Sequence, residues 1–202
     1  MIIGIILAAG ESKRMGTPKA LLKIGDRPFI NHIATQLEAS QLDFIYAVLG
    51  DKAELIQSVL ESNVTVLHNP NFHEGQISSL KTAIDKVQYE NCDGVIIALV
   101  DHPMISSVVV SKLIETFYQS KKRIIIPTHA GKRGHPVLYS REVFAEILEA
   151  PPDRNAKTIR LENLEETLEV EVDDPGILVD IDTPQDYERH IVRATTSAAI
   201  DK

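Results

Sequence analysis

Ile2-Ile3-Gly4-Ile5-Ile6-Leu7-Ala8-Ala9-Gly10-Glu11-Ser12-Lys13-Arg14-Met15-Gly16-Thr17-Pro18-Lys19 is the stretch around which the chain is organised. Its first part, Ile2 to Leu7, is an almost unbroken apolar run, short and rich in β-branched residues, as expected of a strand buried on both faces. The run stops at Ala8-Ala9-Gly10, residues too small to fill space. Three cations, Lys13, Arg14 and Lys19, then accompany Gly10 and Gly16. Small residues let a ligand approach the backbone, and glycine permits positive φ. A strand that ends in such a loop places it at the carboxyl edge of a sheet, where open α/β folds bind ligands. The cations call for an anionic ligand such as a polyphosphate. Named phosphate loops fail on spacing. Five residues separate Gly10 from Gly16, and Thr17-Pro18 precedes Lys19, so this is not a Walker loop, and the dinucleotide pattern G-x-G-x-x-G is absent.

The chain of 202 residues suits one α/β domain with a substantial core. Its 44% hydrophobic and 25% charged residues are those of a soluble globule. A formal net charge of -8 excludes a general nucleic-acid binder, whose footprint would be basic. Cys92 is the single cysteine, so no intramolecular disulfide can form, and a reducing cytoplasm is the expected compartment. The opening Met-Ile-Ile lacks a basic leader and is too short to span a bilayer, so neither targeting nor a membrane is expected.

Downstream, apolar residues recur at helical and strand periods in alternation. Phe29, Ile30, Ile33 and Leu37 predict a helix over roughly 29–39, and Phe44 to Leu49 a second parallel strand. Leu55, Ile56, Val59 and Leu60 mark the next helix, and Val64 to Leu67 a third strand. Gly94 to Val100, the most apolar run, predicts the central strand. Val109, Val110, Leu113, Ile114 and Phe117 predict a helix, and Arg123 to Ile126 a strand. Short helices follow at 143–149 and 157–164, and Thr167 to Val172 reads as a half-exposed edge strand, taken as antiparallel with its glutamates solvated. The fold expected is a single-domain, Rossmann-like three-layer α/β sandwich with a mostly parallel central sheet and helices on both faces. It covers residues 1–194, followed by a frayed tail over 195–202.

Three further segments carry polar chemistry. In Asn69-Pro70-Asn71-Phe72-His73-Glu74-Gly75-Gln76-Ile77-Ser78-Ser79, Gly75 precedes a helix whose first turn offers N–H groups and hydroxyls either to a ligand or simply to its own start. Asp101, in Asp101-His102-Pro103, follows the central strand, where a carboxylate can hold Mg²⁺ or cap the next helix. In Asp180-Ile181-Asp182-Thr183-Pro184, Thr183 and Pro184 form a strong helix start, and on a strand both aspartates would point the same way.

These segments together resemble the NTP-transferase superfamily of nucleotidyltransferases, and most closely its molybdenum cofactor cytidylyltransferase branch. The carriers are Leu7-Ala8-Ala9-Gly10-x-Ser12-x-Arg14-Met15-Gly16 with Lys19, the N-P-x-x-x-x-G-x-x-x-S-L segment from Asn69 to Leu80, D-x-P at Asp101, G-x-x-G-H-P-V-L from Gly131 to Leu138, and D-I-D-T-P-Q-D-Y from Asp180. Val100 stands where the family usually has glycine. The resemblance implies transfer of a nucleoside monophosphate from an NTP, CTP by preference, to a phosphorylated acceptor such as molybdopterin, with release of pyrophosphate. Arg14 and Lys19 would bind phosphates, with Lys19 beside the α-phosphate. Leu7, Ala8, Ala9, Gly10, Ser12, Asn69, Gly75, Ser78 and Ser79 would line the nucleotide site. Asp101 and Asp182 would hold Mg²⁺, with Asp180 the alternative to Asp182, and Gly134 and His135 would bind the acceptor. No general base is required, because a phosphate nucleophile is already ionised near neutral pH. A molybdoenzyme or accessory protein is the implied partner. Two rival readings stay open: a sugar-phosphate guanylyl or uridylyl transferase of the same superfamily, and a noncatalytic nucleotide sensor.

Overall fold

The computed structural model describes residues 1–40, 42–61, 63–152 and 154–193. The expected tail over 195–202 lies outside these residues. Strands β1 (Ile2–Ala8), β2 (Lys23–Ile24) and β3 (Arg27–Pro28) lead to helix α1 (Phe29–Glu38). Then come β4 (Ile45–Leu49), α2 (Ala53–Gln57), β5 (Val64–His68), α3 (Gln76–Val87), β6 (Gly94–Leu99) and α4 (Ser107–Ser120). The last third holds β7 (Ile124–His129), β8 (Lys132–Arg133), β9 (Val137–Ser140), α5 (Phe144–Glu149), α6 (Ala156–Glu162), β10 (Thr167–Glu171) and α7 (Pro184–Tyr187), which runs on into a wider turn over Glu188–Val192.

The main sheet runs β10-β7-β9-β6-β1-β4-β5. β1 pairs in parallel with both β4 and β6, and alternation splits its apolar run between two cores. Ile2, Ile6 and Ala8 pack with Ile30, Ile33 and Leu37 of α1, while Ile3, Ile5 and Leu7 pack with Ile77, Leu80 and Ile84 of α3. Ile3, Ile5 and Ile6 have no exposed surface. Each contributes about 2 kcal/mol through burial, which is why this strand tolerates no polar residue. The chain winds outward from β1 to β4 and β5, then restarts on the other side at β6. The crevice between the carboxyl ends of β1 and β6 is therefore the topological switch point, where such sheets bind ligands. The parallel, helix-covered architecture agrees with the expectation, and β6 is the central strand.

Four local expectations need correction. The second helix ends at Gln57, and Leu55 and Val59 are exposed, so their helical spacing does not mark a buried face. β9 was not anticipated: the short apolar run Val137–Ser140 inserts antiparallel between β6 and β7. β10 lies at the sheet edge but runs parallel to β7. Its glutamates are engaged: Glu171 accepts hydrogen bonds from Thr128 Oγ1 at 2.7 Å and Ala130 N at 2.9 Å, and Glu169 pairs with Arg133. No described helix is long and apolar enough to cross a membrane.

Candidate functional site

The loop after β1 is folded on Ser12. This residue takes φ +52°, its carbonyl accepts from the N–H groups of Met15 at 3.0 Å and Gly16 at 3.1 Å, and Gly16 has φ +74°. Ser12 Oγ accepts from the backbone N–H of Lys19 at 3.0 Å, so one serine sets both the turn and the position of the lysine. Gly50, at the end of β4, packs directly behind the small residues: a Cβ there would lie 2.6 Å from the carbonyl oxygen of Ala9 and 2.5 Å from Phe72 Cβ. Any side chain at position 50 would push the loop out of place.

Asp101 follows β6, and the chain returns to it 80 residues later. Ile181 N–H donates to the Asp101 carbonyl at 2.8 Å, and the Ile181 side chain is wholly buried beside Phe29 and Ile191. This anchor sets Asp180 and Asp182 on either side of the strand end. They lie on an irregular segment rather than on the strand that alternation suggested. A reciprocal cap holds the Asp182 side: Asp186 Oδ2 accepts from Thr183 N–H at 2.8 Å and Asp182 N–H at 3.2 Å, while Thr183 Oγ1 accepts from Asp186 N–H at 3.2 Å. The Thr-Pro-x-Asp pattern carries that signal, although Asp186 was not singled out.

The charges now meet. Lys19 Nζ donates to Asp101 Oδ2 at 3.1 Å and to Asp182 Oδ1, and Arg14 Nη2 donates to Asp182 Oδ2 at 2.6 Å. Burial, the largest single influence on Lys19, favours its neutral form, but Asp101 and Asp182 together outweigh it and hold its pKa above the ordinary value. The hydrogen bond from Lys19 is the main reason that Asp182 is held below the usual carboxylate range. Asp180 moves the other way, raised by burial and by the nearby Asp101 charge. Lys19 and Asp182 are therefore each held further into their charged form, against the upward pull on Asp180.

These groups border a cleft of about 440 Å³. Leu7, Ala8, Ala9, Gly10, Ser12, Arg14, Lys19, Gly75, Ser79, Asp101 and Asp182 line it, as do Phe72, His73 and Gln76, which sequence reasoning did not assign to the site. Asn69 and Ser78 do not line it. The buried Asn69 amide donates to Ser78 Oγ at 2.9 Å and Ser79 Oγ at 3.0 Å, and Asn69 Oδ1 accepts from Asn71 N–H at 2.9 Å. They brace the turn that presents Gly75 and Ser79. Gly134 and His135 face a neighbouring pocket instead. The His135 ring sits 4.6 Å from that of His102, and burial pushes its pKa down to about 3, so it is neutral.

The donor set was tested for a divalent cation. Ligating atoms of Asp101, His102 and Asp180 lie within 4.8 Å of one another, and His102 Nδ1 is buried with no hydrogen-bond partner. Asp182 borders the cleft as Asp101 does, and Glu11 is the third carboxylate in its lining. Carboxylate oxygens with an optional imidazole suit Mg²⁺ or Mn²⁺, so the residues fit such an ion.

Residues 4–167 match the family described as the MobA-like NTP transferase domain. The chain is 28% identical over 185 residues to the molybdenum cofactor cytidylyltransferase of Escherichia coli strain K12, covering 91% of this chain and 92% of that protein. It is 27% identical to the purine catabolism protein PucB of Bacillus subtilis strain 168, covering 93% and 94%. Among solved structures, Rv0371c of Mycobacterium tuberculosis H37Rv superposes with a TM-score of 0.83 at 26% identity, covering 95% of this chain and 97% of that one. A second structure of Rv0371c, in complex with manganese, has a TM-score of 0.77 at 24% identity, covering 95% and 97%.

Proposed function

This chain belongs to the MobA-like NTP transferase family and is a nucleotidyltransferase, and on that premise we propose that it transfers CMP from CTP to a phosphorylated acceptor of the molybdopterin class and releases pyrophosphate. The observation that carries the reading is the convergence of Arg14, Lys19, Asp101 and Asp182 on one cleft at the switch point. Phosphoryl-type transfer asks a protein for in-line positioning and charge neutralisation rather than covalent chemistry. This cleft offers those two things.

The residues act by exchanging partners. Without nucleotide, Asp182 occupies both cations. An incoming triphosphate presents a stronger multidentate acceptor to Arg14 and Lys19. Arg14, exposed at the cleft mouth, takes the departing phosphates, and Lys19, held from behind by Ser12, remains at the α-phosphate, where charge builds in the transition state. Displacement frees the Asp182 carboxylate beside Asp101, and these two would hold Mg²⁺. They are preferred to the Asp180–His102 set because they border the cleft and the latter two do not. The ion, when bound, supplies charge neutralisation and alignment of the phosphates. The manganese complex of Rv0371c supports a divalent ion in this fold. Ala9 borders the space for the base, and its methyl group narrows that space in favour of a pyrimidine.

Pyrophosphate release is measured with each of the four ribonucleoside triphosphates, with Mg²⁺ or Mn²⁺, and with molybdopterin or sugar phosphates as acceptors. CTP with molybdopterin is the expected productive pair. Turnover with sugar phosphates alone would replace the acceptor, and nucleotide binding without turnover under every condition would make the protein a sensor.

A further inference from the structure

Beside the nucleotide cleft lies a second pocket, of about 670 Å³, whose charged lining is entirely basic: Arg133, Lys157 and Arg160, with no aspartate or glutamate. In a chain of net charge -8 this is unusual. Arg133 is already paired with Glu169, whereas among the described residues Arg160 has no ion-pair partner. It is only 7% exposed, its Nη1 is buried without a hydrogen-bond partner, and among the described residues no carboxylate reaches its guanidinium. A buried, unpaired guanidinium is costly, and proteins keep buried cations where something anionic meets them. Tyr139, which borders the same pocket, is buried too, so an anion at the floor would be screened less than one at the surface.

The two pockets lie on either side of a small buried gap of about 20 Å³ and share lining residues with it. Leu7, Gln76 and Leu99 border both the nucleotide cleft and this apolar gap, and Gln76, His135, Val137 and Tyr139 border both that gap and the basic pocket. An acceptor bridging the two pockets past Gln76, which borders both, would have its attacking phosphate at Lys19 and Asp101 and its far end at Arg160. Resting on the transferase reading above, we propose that the basic pocket is the distal acceptor subsite and that it takes a second oxyanion, carried by the acceptor apart from its attacking phosphate, with Arg160 as the specificity-determining residue. Guanidinium is suited to this task because its planar fork pairs with an oxyanion in a bidentate manner.

The probe is inorganic phosphate, titrated calorimetrically against the full chain. A Lys19→Met background removes the principal cation of the nucleotide cleft, and Arg160→Met is added to it. The expected result is saturable phosphate binding in Lys19→Met that weakens tenfold or more when Arg160 is lost and is partly kept by Arg160→Lys. Arg160→Met alone should melt at or above the wild-type temperature, because an unpaired buried charge has been removed. In the transfer assay it should raise the acceptor KM at least tenfold and leave the CTP KM within twofold. Equal phosphate affinity with and without Arg160, no saturable binding at all, or a clear fall in melting temperature for Arg160→Met would each overturn the proposal. The titration does not involve turnover. A protein that binds phosphate through Arg160 yet transfers no nucleotide therefore defeats the transferase reading alone, and active transfer with an Arg160-independent titration defeats the subsite alone.

Discussion

Lys19→Met removes one charge from the centre of the site and keeps most of the stem volume. Lys19 is 11% exposed at its side chain and lies 3.1 Å from Asp101. At an effective dielectric constant of 20, Coulomb attraction at that distance is about 5 kcal/mol. Desolvation of the lysine offsets much of it, and the two carboxylates are partly wetted. The net loss on substitution should then be about 1–3 kcal/mol, made up largely of repulsion among Asp101, Asp180 and Asp182. For a chain of this size that lowers the melting temperature by about 5 °C. Millimolar Mg²⁺ should restore more of the loss in the variant than it adds to the wild type, since a cation replaces the missing ammonium. In turnover the same substitution should lower kcat by about 100-fold, corresponding to roughly 3 kcal/mol of transition-state stabilisation, with a smaller change in KM for CTP. Thermal denaturation with and without Mg²⁺, together with steady-state pyrophosphate release, measures both. An unchanged melting temperature, or a raised KM with unchanged kcat, would refute the reasoning, because Lys19 would then only bind the ground state.

Asp101→Asn and Asp182→Asn should each abolish metal-dependent turnover while circular dichroism stays native, and Asp180→Asn should retain at least a tenth of it. An active Asp182→Asn beside a dead Asp180→Asn would move the second ligand to Asp180. His135 is neutral in the fold with a pKa of about 3, whereas in the unfolded chain it titrates at its ordinary value of 6.5. The unfolded state therefore binds the extra proton between these values, so its stability contribution is complete above pH 6.5 and falls as the pH drops, by as much as about 2 kcal/mol at pH 5. Urea unfolding of wild type and His135→Asn should show a gap at pH 7 that narrows at pH 5. Ala9→Gly should relax base choice, with GTP gaining on CTP by about 10-fold in a competition assay, since one methyl-sized difference discriminates by about 1–3 kcal/mol. Unchanged selectivity would take the choice away from Ala9.

The parts of the fold legible in the sequence were those governed by local pattern. β1 declared itself because burial on both faces demands an unbroken apolar run, and α1, α3 and α4 because one buried face repeats at helical spacing. β9 did not, because a run of four residues, Val137-Leu138-Tyr139-Ser140, after a glycine loop is too short to show a period. α2 misled because Leu55 and Val59 have the right spacing but face solvent. The direction of β10 depends on β7, its neighbour in space, and alternation says nothing about a partner. Within the site, Arg14, Lys19, Asp101 and Asp182 were legible as residue types in motifs, but their mutual pairing was not. Asn69 and Ser78 belonged to a motif segment, yet the structure uses them to brace a turn. Arg160 carried no signal at all, because an arginine in a short amphipathic helix is ordinarily a surface residue. Its burial is set by residues distant in sequence, such as Tyr139 in the lining of the same pocket.

The separation of Arg14 from Asp182 by 168 positions explains why the site depends on residues that touch no substrate. β1 and β6 bring Lys19 and Asp101 to one edge through the register of Leu7 opposite Leu99. Asp182 has no strand to place it. Its position comes from Ile181, whose N–H is bound to the Asp101 carbonyl and whose side chain is sealed beside Phe29, and from Asp186, which gathers the N–H groups of Asp182 and Thr183. A carboxylate held at both flanks in this way can change partners from cation to cation without its backbone moving. On the proposed function, the exchange at Asp182 is then a side-chain rotation, because the backbone N–H groups of Ile181, Asp182 and Thr183 are all already bound.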